Sequence, residues 1–150
     1  MKRNLLVEKF LTLTLLGFAS LSAGASELAI ELAVNGTPKV GMPLKITAVI
    51  TNRGATDIEL PSQPGWGQGG GLVMEVDGPG HGARPVIVDA AAPRPANAEF
   101  TLAAGQSIAI SRTVMPGDVL SGAGDYVFRV HYDREGAAPV ISQEVAKTIE

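Results

Sequence analysis

The chain has 150 residues, 45% of them apolar and 18% charged, with a formal net charge of −3 and no cysteine. That is one domain's length with a globular balance of residues, which excludes a disordered or fibrous chain. The missing cysteines exclude disulfides, thiolate nucleophiles, iron–sulfur clusters and Cys-ligated zinc, and the acidic balance argues against a nucleic-acid partner, which requires a basic face.

The chain opens on a positive segment, Lys2, Arg3 and Lys9 diluted by Glu8, followed by an uncharged and mostly apolar run over 11–21. The run is about half the roughly 20 residues that a bilayer span needs. It fits the apolar stretch of a signal peptide, and Ala23-Gly24-Ala25 supplies the small residues a signal peptidase reads. Residues 1–25 are therefore expected to be a signal peptide cut before Ser26, and 26–150 a single periplasmic or secreted domain with no stable membrane anchor after cleavage. Cleavage removes Lys2, Arg3, Lys9 and Glu8 and takes the net charge to −5.

The 18 glycines and 10 prolines favour short elements joined by turns. Leu28, Ile30, Leu32 and Val34 alternate with Ala29, Glu31 and Ala33; the residues also suit a helix, but the period of two points to a strand. Asn35-Gly36 is a strong turn signal. Over 44–51, Leu44, Ile46, Ala48 and Ile50 face one side and Lys45, Thr47, Val49 and Thr51 the other, and Asn52-Arg53-Gly54 turns the chain. Ile58 and Leu60 mark a short strand that Pro61 ends. Residues 61–71 are loop. Leu72, Met74 and Val76 alternate again until Asp77-Gly78-Pro79-Gly80. A short strand is expected over 86–88, and an irregular crossing segment over 90–98.

Phe100 and Leu102 begin another piece, which Ala104-Gly105 turns. Ile108, Ile110, Arg112 and Val114 form the next strand, and Met115-Pro116-Gly117-Asp118 starts a loop. Tyr126, Phe128, Val130 and Tyr132 alternate with Val127, Arg129, His131 and Asp133. Ile141, Val145 and Ile149 close the chain; a spacing of four also fits a helix, but Pro139 and the hairpin-like 133–138 favour a last strand. About seven to nine short strands without a disulfide predict an all-β antiparallel sandwich or barrel.

Gly124-Asp125-Tyr126-Val127-Phe128 resembles the tyrosine corner of immunoglobulin-like sandwiches, in which a Tyr early in the penultimate strand bonds back to the preceding loop. Antibody domains carry a Cys two residues after that Tyr; here Phe128 stands there and fills the core instead. Gly41 before a strand, then Ile50-Thr51-Asn52-Arg53-Gly54 and Ile58-Glu59-Leu60, resembles the opening of bacterial cell-adhesion-related Ig-like domains. The bacterial intracellular proteinase inhibitor family has a similar opening. The resemblance implies an immunoglobulin-like β-sandwich over most of 27–149. It carries fold and no activity, because one sandwich hosts many functions.

The residues offer little for catalysis. No Gly-x-Ser-x-Gly elbow occurs, and a Ser–His–Asp triad would have to use His81, in a glycine-rich loop, or His131, on the outward side of a strand. No aromatic-lined cleft accompanies the carboxylates. A Cu(I) site would draw on Met42, Met74, Met115, His81 and His131, yet none stand at close ligand spacing, and Met74 belongs to an apolar stripe. Asp125 and Asp133 lie in no Asp-rich calcium loop. No catalytic, cofactor or metal residue is assigned.

Trp66, in Pro64-Gly65-Trp66-Gly67-Gln68-Gly69-Gly70-Gly71, has two main readings; its flanking Pro and Gly argue against a third, the core Trp on strand C of immunoglobulin domains. It folds back as a plug on the end of the sandwich, or Trp66 and Gln68 form a partner-binding loop for a protein or a sugar. The glycine run lacks the lysine and βα context of a phosphate loop. The sequence thus points to an exported, non-enzymatic Ig-like module of the cell envelope that contacts a protein or glycan. An inhibitor or accessory subunit of a secreted enzyme and a periplasmic copper carrier stand as alternatives.

Overall fold

A computed structural model describes residues 27–36, 39–67, 70–86, 99–114, 120–134 and 136–150. Alternation decides the first sheet. In β1 (Leu28–Asn35), Leu28, Ile30, Leu32 and Val34 are buried while Glu31, Ala33 and Asn35 are exposed. In β2 (Leu44–Asn52), Leu44, Ile46, Ala48 and Ile50 are buried. With β8 (Ser107–Val114) these make an antiparallel three-stranded sheet in the order β1-β2-β8. Its register puts Thr47 opposite Ser111 and Thr51 opposite Ser107. Both pairs share a hydroxyl hydrogen bond of 2.8 Å on the outer face, cross-strand contacts that hold the register.

The second sheet is built on β5 (Gly71–Gly78) and β9 (Gly124–Tyr132), which pair antiparallel from Leu72↔Tyr132 to Asp77↔Val127. β4 (Gly65–Trp66) and β6 (His81–Val86) lie beside β5, and β10 (Val140–Ile141) and β11 (Val145–Ile149) beside β9. A side ribbon pairs β3 (Ile58–Leu60) with β7 (Phe100–Leu102). The inward rows of the two sheets meet in one core that includes Ile46, Ala48, Ile50, Met74, Val76, Phe128 and Val130, all at 0% exposure. This is an all-β, immunoglobulin-like antiparallel sandwich without a disulfide. Tyr126, Phe128 and Val130 point inward while Val127, Arg129 and His131 lie on the other face, as the two-residue period predicts.

The tyrosine corner is present. The Tyr126 hydroxyl donates to the Gly122 carbonyl at 2.9 Å. Gly78 passes flat over the Tyr126 ring, and a Cβ there would overlap Cδ1 and Cε1. Tyr126→Phe is expected to cost about 1 kcal/mol, the worth of one hydrogen bond, in denaturant titration. A larger loss would mean that the ring itself had moved.

Asn52 does more than turn the chain. It is fully buried. Its Nδ2 donates to the carbonyls of Thr56 at 2.8 Å and Leu102 at 2.9 Å. Its Oδ1 accepts from the Gly54 N–H at 2.9 Å. One amide thereby ties the end of β2, the following turn and the β7 ribbon together. Asn52→Ala strands the buried Leu102 carbonyl and leaves the part-buried Thr56 carbonyl and Gly54 N–H without this partner, and is expected to lower stability by about 2–3 kcal/mol in equilibrium unfolding.

Three local expectations change. The strand expected at 86–88 begins earlier, at His81, and is described as far as Val86; Ile87 and Val88 lie outside the described residues. It holds Pro85, which an edge strand tolerates because only one of its sides bonds a neighbour. Residues 61–71 include a two-residue parallel bridge, Gly65↔Gly71 and Trp66↔Leu72, where loop was expected. The last strand is split. β10 pairs Val140↔Tyr132 and β11 pairs Val145↔Phe128, a one-residue shift in register. At the break the Ser142 N–H donates to the Val130 carbonyl at 2.9 Å, while Ser142 Oγ accepts the Val130 N–H at 2.9 Å. The hydroxyl stands in for the backbone carbonyl that the bulge turns away. Val140 is therefore buried and Ile141 exposed, so Ile141, Val145 and Ile149 do not share one face.

Candidate functional site

The side of the sandwich where β1 and β10 face each other carries an open groove of about 650 Å³, walled by Leu28 to Glu31 on one side and Pro139 to Ile141 on the other. Hydrogen-bond parity shows which backbone groups face it. The Arg53 N–H donates to the Glu27 carbonyl across the β1–β2 ladder, and Ala29↔Thr51 and Glu31↔Val49 follow in register. Odd-numbered residues of β1 thus turn their N–H and C=O toward β2, and Leu28, Ile30 and Leu32 turn theirs outward. The Leu32 carbonyl takes a long hydrogen bond of 3.5 Å from Gln143 Nε2. On the opposite wall the Ser142–Val130 bond makes Val140↔Tyr132 the bonded pair, so the N–H and C=O of Ile141 face away from β9.

The side chains around these groups are mixed. Ile141 is 52% exposed, one of three large apolar side chains so exposed among the described residues, with Val40 and Met42. Glu31 and Arg53 meet at 3.3 Å on the rim with 63% of each side chain in water. An ion pair so exposed holds the rim only weakly. Leu28, Ile30 and Val140 form an apolar floor.

The outer face of the β5–β9 sheet carries a chain of charges. Arg129 Nε lies 3.2 Å from Glu75 Oε1, and Arg129 Nη2 lies 3.2 Å from Glu144 Oε1. His131 Nε2 sits 3.6 Å from Glu75 Oε2 without a hydrogen bond. Arg129 and Glu75 are directly opposite in the register, which makes this a cross-strand pair on a sheet face. Burial raises the pKa of the Tyr132 hydroxyl against the lowering influence of Arg134.

Among the described residues, those singled out in the sequence do not converge. Trp66 is only 3% exposed, and its Nε1 donates to the Ile110 carbonyl at 3.3 Å. The ring is the plug and not an exposed anchor. Folding it inward covers apolar area and satisfies its N–H, which a wet loop would do only in part. Gln68 lies outside the described residues, as does Met115. Met74 is fully buried in the core, and Met42 is exposed in the β1–β2 connection. His131 stands on the outer face, and Asp125 accepts a 2.7 Å hydrogen bond from Thr148 Oγ1. Among the described residues no three His, Cys, Asp or Glu side chains are placed to hold a metal.

No family model and no curated protein matches this chain. Solved structures do. The CARDB domain of a Pyrococcus furiosus protein in complex with di-metal ions matches with a TM-score of 0.45 at 11% identity, over 82% of this chain and 87% of that one. The Pseudomonas fluorescens alkylpurine DNA glycosylase AlkC, bound to DNA containing an abasic site analog, matches with a TM-score of 0.43 at 19% identity. That match covers 78% of this chain but 30% of the glycosylase. Likeness at this level carries neither metal binding nor DNA chemistry to this chain.

The groove was missed in the sequence. Its signal is the unbroken alternation of β1 at a sheet edge beside Pro139, and edge position is set by which strands pair.

Proposed function

We propose that the protein is an exported, non-catalytic Ig-like module of the cell envelope, of the cell-adhesion-related kind, that works by contacting a protein. The observation that supports this reading is the β1/β10 groove, where the edges of two sheets meet beside the exposed Ile141. Trp66 is turned inward, so this reading takes the edge as the contact surface. Sheet edges of this kind recruit other chains by backbone pairing.

The test is affinity capture from the extracytoplasmic fraction with the native protein and with Ile141→Lys. The same partner is expected to be enriched by the first and lost with the second, while both melt at the same temperature because Ile141 packs no core. Stoichiometric copper in protein recovered from that fraction would favour a carrier instead. Intact mass should correspond to a chain beginning at or within a few residues of Ser26. A full-length, membrane-embedded species would overturn the export reading.

A further inference from the structure

We propose that Asn35 is a site of spontaneous covalent modification, at which the side-chain amide closes on the Gly36 nitrogen and hydrolyses to aspartate and isoaspartate. The co-reactant is water, and the event places a new negative charge at the end of β1.

The geometry at Asn35-Gly36 leaves the reacting atoms open. The Asn35 side chain is exposed on the outer row of β1. Its amide makes no hydrogen bond among the described residues. The last pair of the β1–β2 ladder is Asn35↔Lys45, so the attacking atom, the Gly36 nitrogen, lies one residue beyond the paired register. Gly36 has a φ of +101°, and a Cβ built on it would meet nothing within 4 Å. A glycine sets no side chain between its nitrogen and the carbon it attacks, and here the space around it admits solvent.

Hydroxide takes the proton from the Gly36 amide, and the nitrogen then attacks Asn35 Cγ. A C–N bond forms, the bond from Cγ to the side-chain nitrogen breaks, and that nitrogen leaves as ammonia with a proton from water. Water next opens the five-membered imide. Attack at the former side-chain carbonyl gives aspartate; attack at the main-chain carbonyl gives isoaspartate, with the peptide chain running through Cγ. The sum is asparagine plus water going to the acid plus ammonia, with no oxidant or enzyme needed.

Asn52 shows the opposite case in the same chain. It is fully buried, and its Nδ2 donates to the carbonyls of Thr56 and Leu102. The nitrogen that would attack it, that of Arg53, donates to the Glu27 carbonyl. Both reacting atoms are held, so ring closure there must wait for local unfolding. The two products at position 35 differ in consequence. Aspartate would stand directly opposite Lys45, as an oppositely charged cross-strand pair. Isoaspartate lengthens the main chain by one carbon and would disturb that last pair of the ladder.

The experiment incubates the native chain in mildly alkaline buffer and follows each asparagine by peptide mapping, with mass spectrometry that separates aspartate from isoaspartate. Asn35 is expected to convert to both acids about tenfold or more faster than Asn52. Urea should speed Asn52 by about tenfold or more and Asn35 by less than about threefold, because only Asn52 is protected by the fold. Asn35→Gln keeps an exposed amide but must close a larger ring, and should remove the first acidic species seen in ion exchange. An amide still intact at 35 when the urea-unfolded chain has reacted there would mean that the strand end protects it, and would overturn the proposal. Equal native rates at 35 and 52, or the same first acidic species in Asn35→Gln, would overturn it as well.

Discussion

Phe128→Ala is expected to destabilise the protein by about 3–5 kcal/mol, the range for emptying a large aromatic site in a packed core. Phe128 is fully buried at the centre of β9, between Val76 on one side and Val145 on the other in the ladder. Its ring centroid lies 6.4 Å from that of Tyr126, within the range of a favourable tilted pair. Both sheets close over it, so little relaxation can fill the space. The measurement is urea unfolding with an unchanged m-value. Arg129→Ala, one residue along, is the control. Its guanidinium is one-third exposed and its partners Glu75 and Glu144 stay near solvent, so its loss should stay within about 1 kcal/mol. If Arg129→Ala proved the costlier change, the inward and outward rows of β9 would be exchanged.

Trp66→Ala is expected to cost a similar 3–5 kcal/mol, and for a residue in a glycine run that is informative. A wet surface site would lose about 0.5 kcal/mol at most. As the only tryptophan, Trp66 reports alone in fluorescence: emission should be blue-shifted, resist iodide and acrylamide, and shift red on unfolding. The glycines are what permit the fold-back. The Gly65 N–H bonds the Gly70 carbonyl at 2.9 Å, and a Cβ on Gly70 would overlap the Gly65 backbone. Gly70→Ala should therefore loosen Trp66 and restore quenching without touching the ring itself. Red-shifted, readily quenched emission in the native protein would contradict the inward ring.

The strands of high periodicity were legible because a period of two needs no partner to be seen. Leu28 to Val34, Leu44 to Ile50 and Tyr126 to Tyr132 bury the side that their alternation announces. The tyrosine corner was legible as well, since Tyr126 bonds a carbonyl only four residues back. The split of the last strand was not. The bulge turns on Ser142 offering its hydroxyl to the Val130 N–H, a choice that exists only once β9 lies alongside. Trp66 stood undecided for the same reason: glycines license both a loop and a fold-back, and the Ile110 carbonyl that receives its N–H is distant in sequence.

By itself, then, the sequence determined the all-β class, the absence of disulfide staples, the inward residues of the regular strands and the corner at Tyr126. Those properties depend on composition, on alternation and on contacts a few residues apart. Tertiary structure alone decided that β1 and β10 are edges facing one another, that Ile141 lies outside while Val140 lies inside, and that Asn52 holds the β7 ribbon. Edge position belongs to a strand order, and a strand order arises from pairings between segments far apart in the chain, which no local pattern encodes.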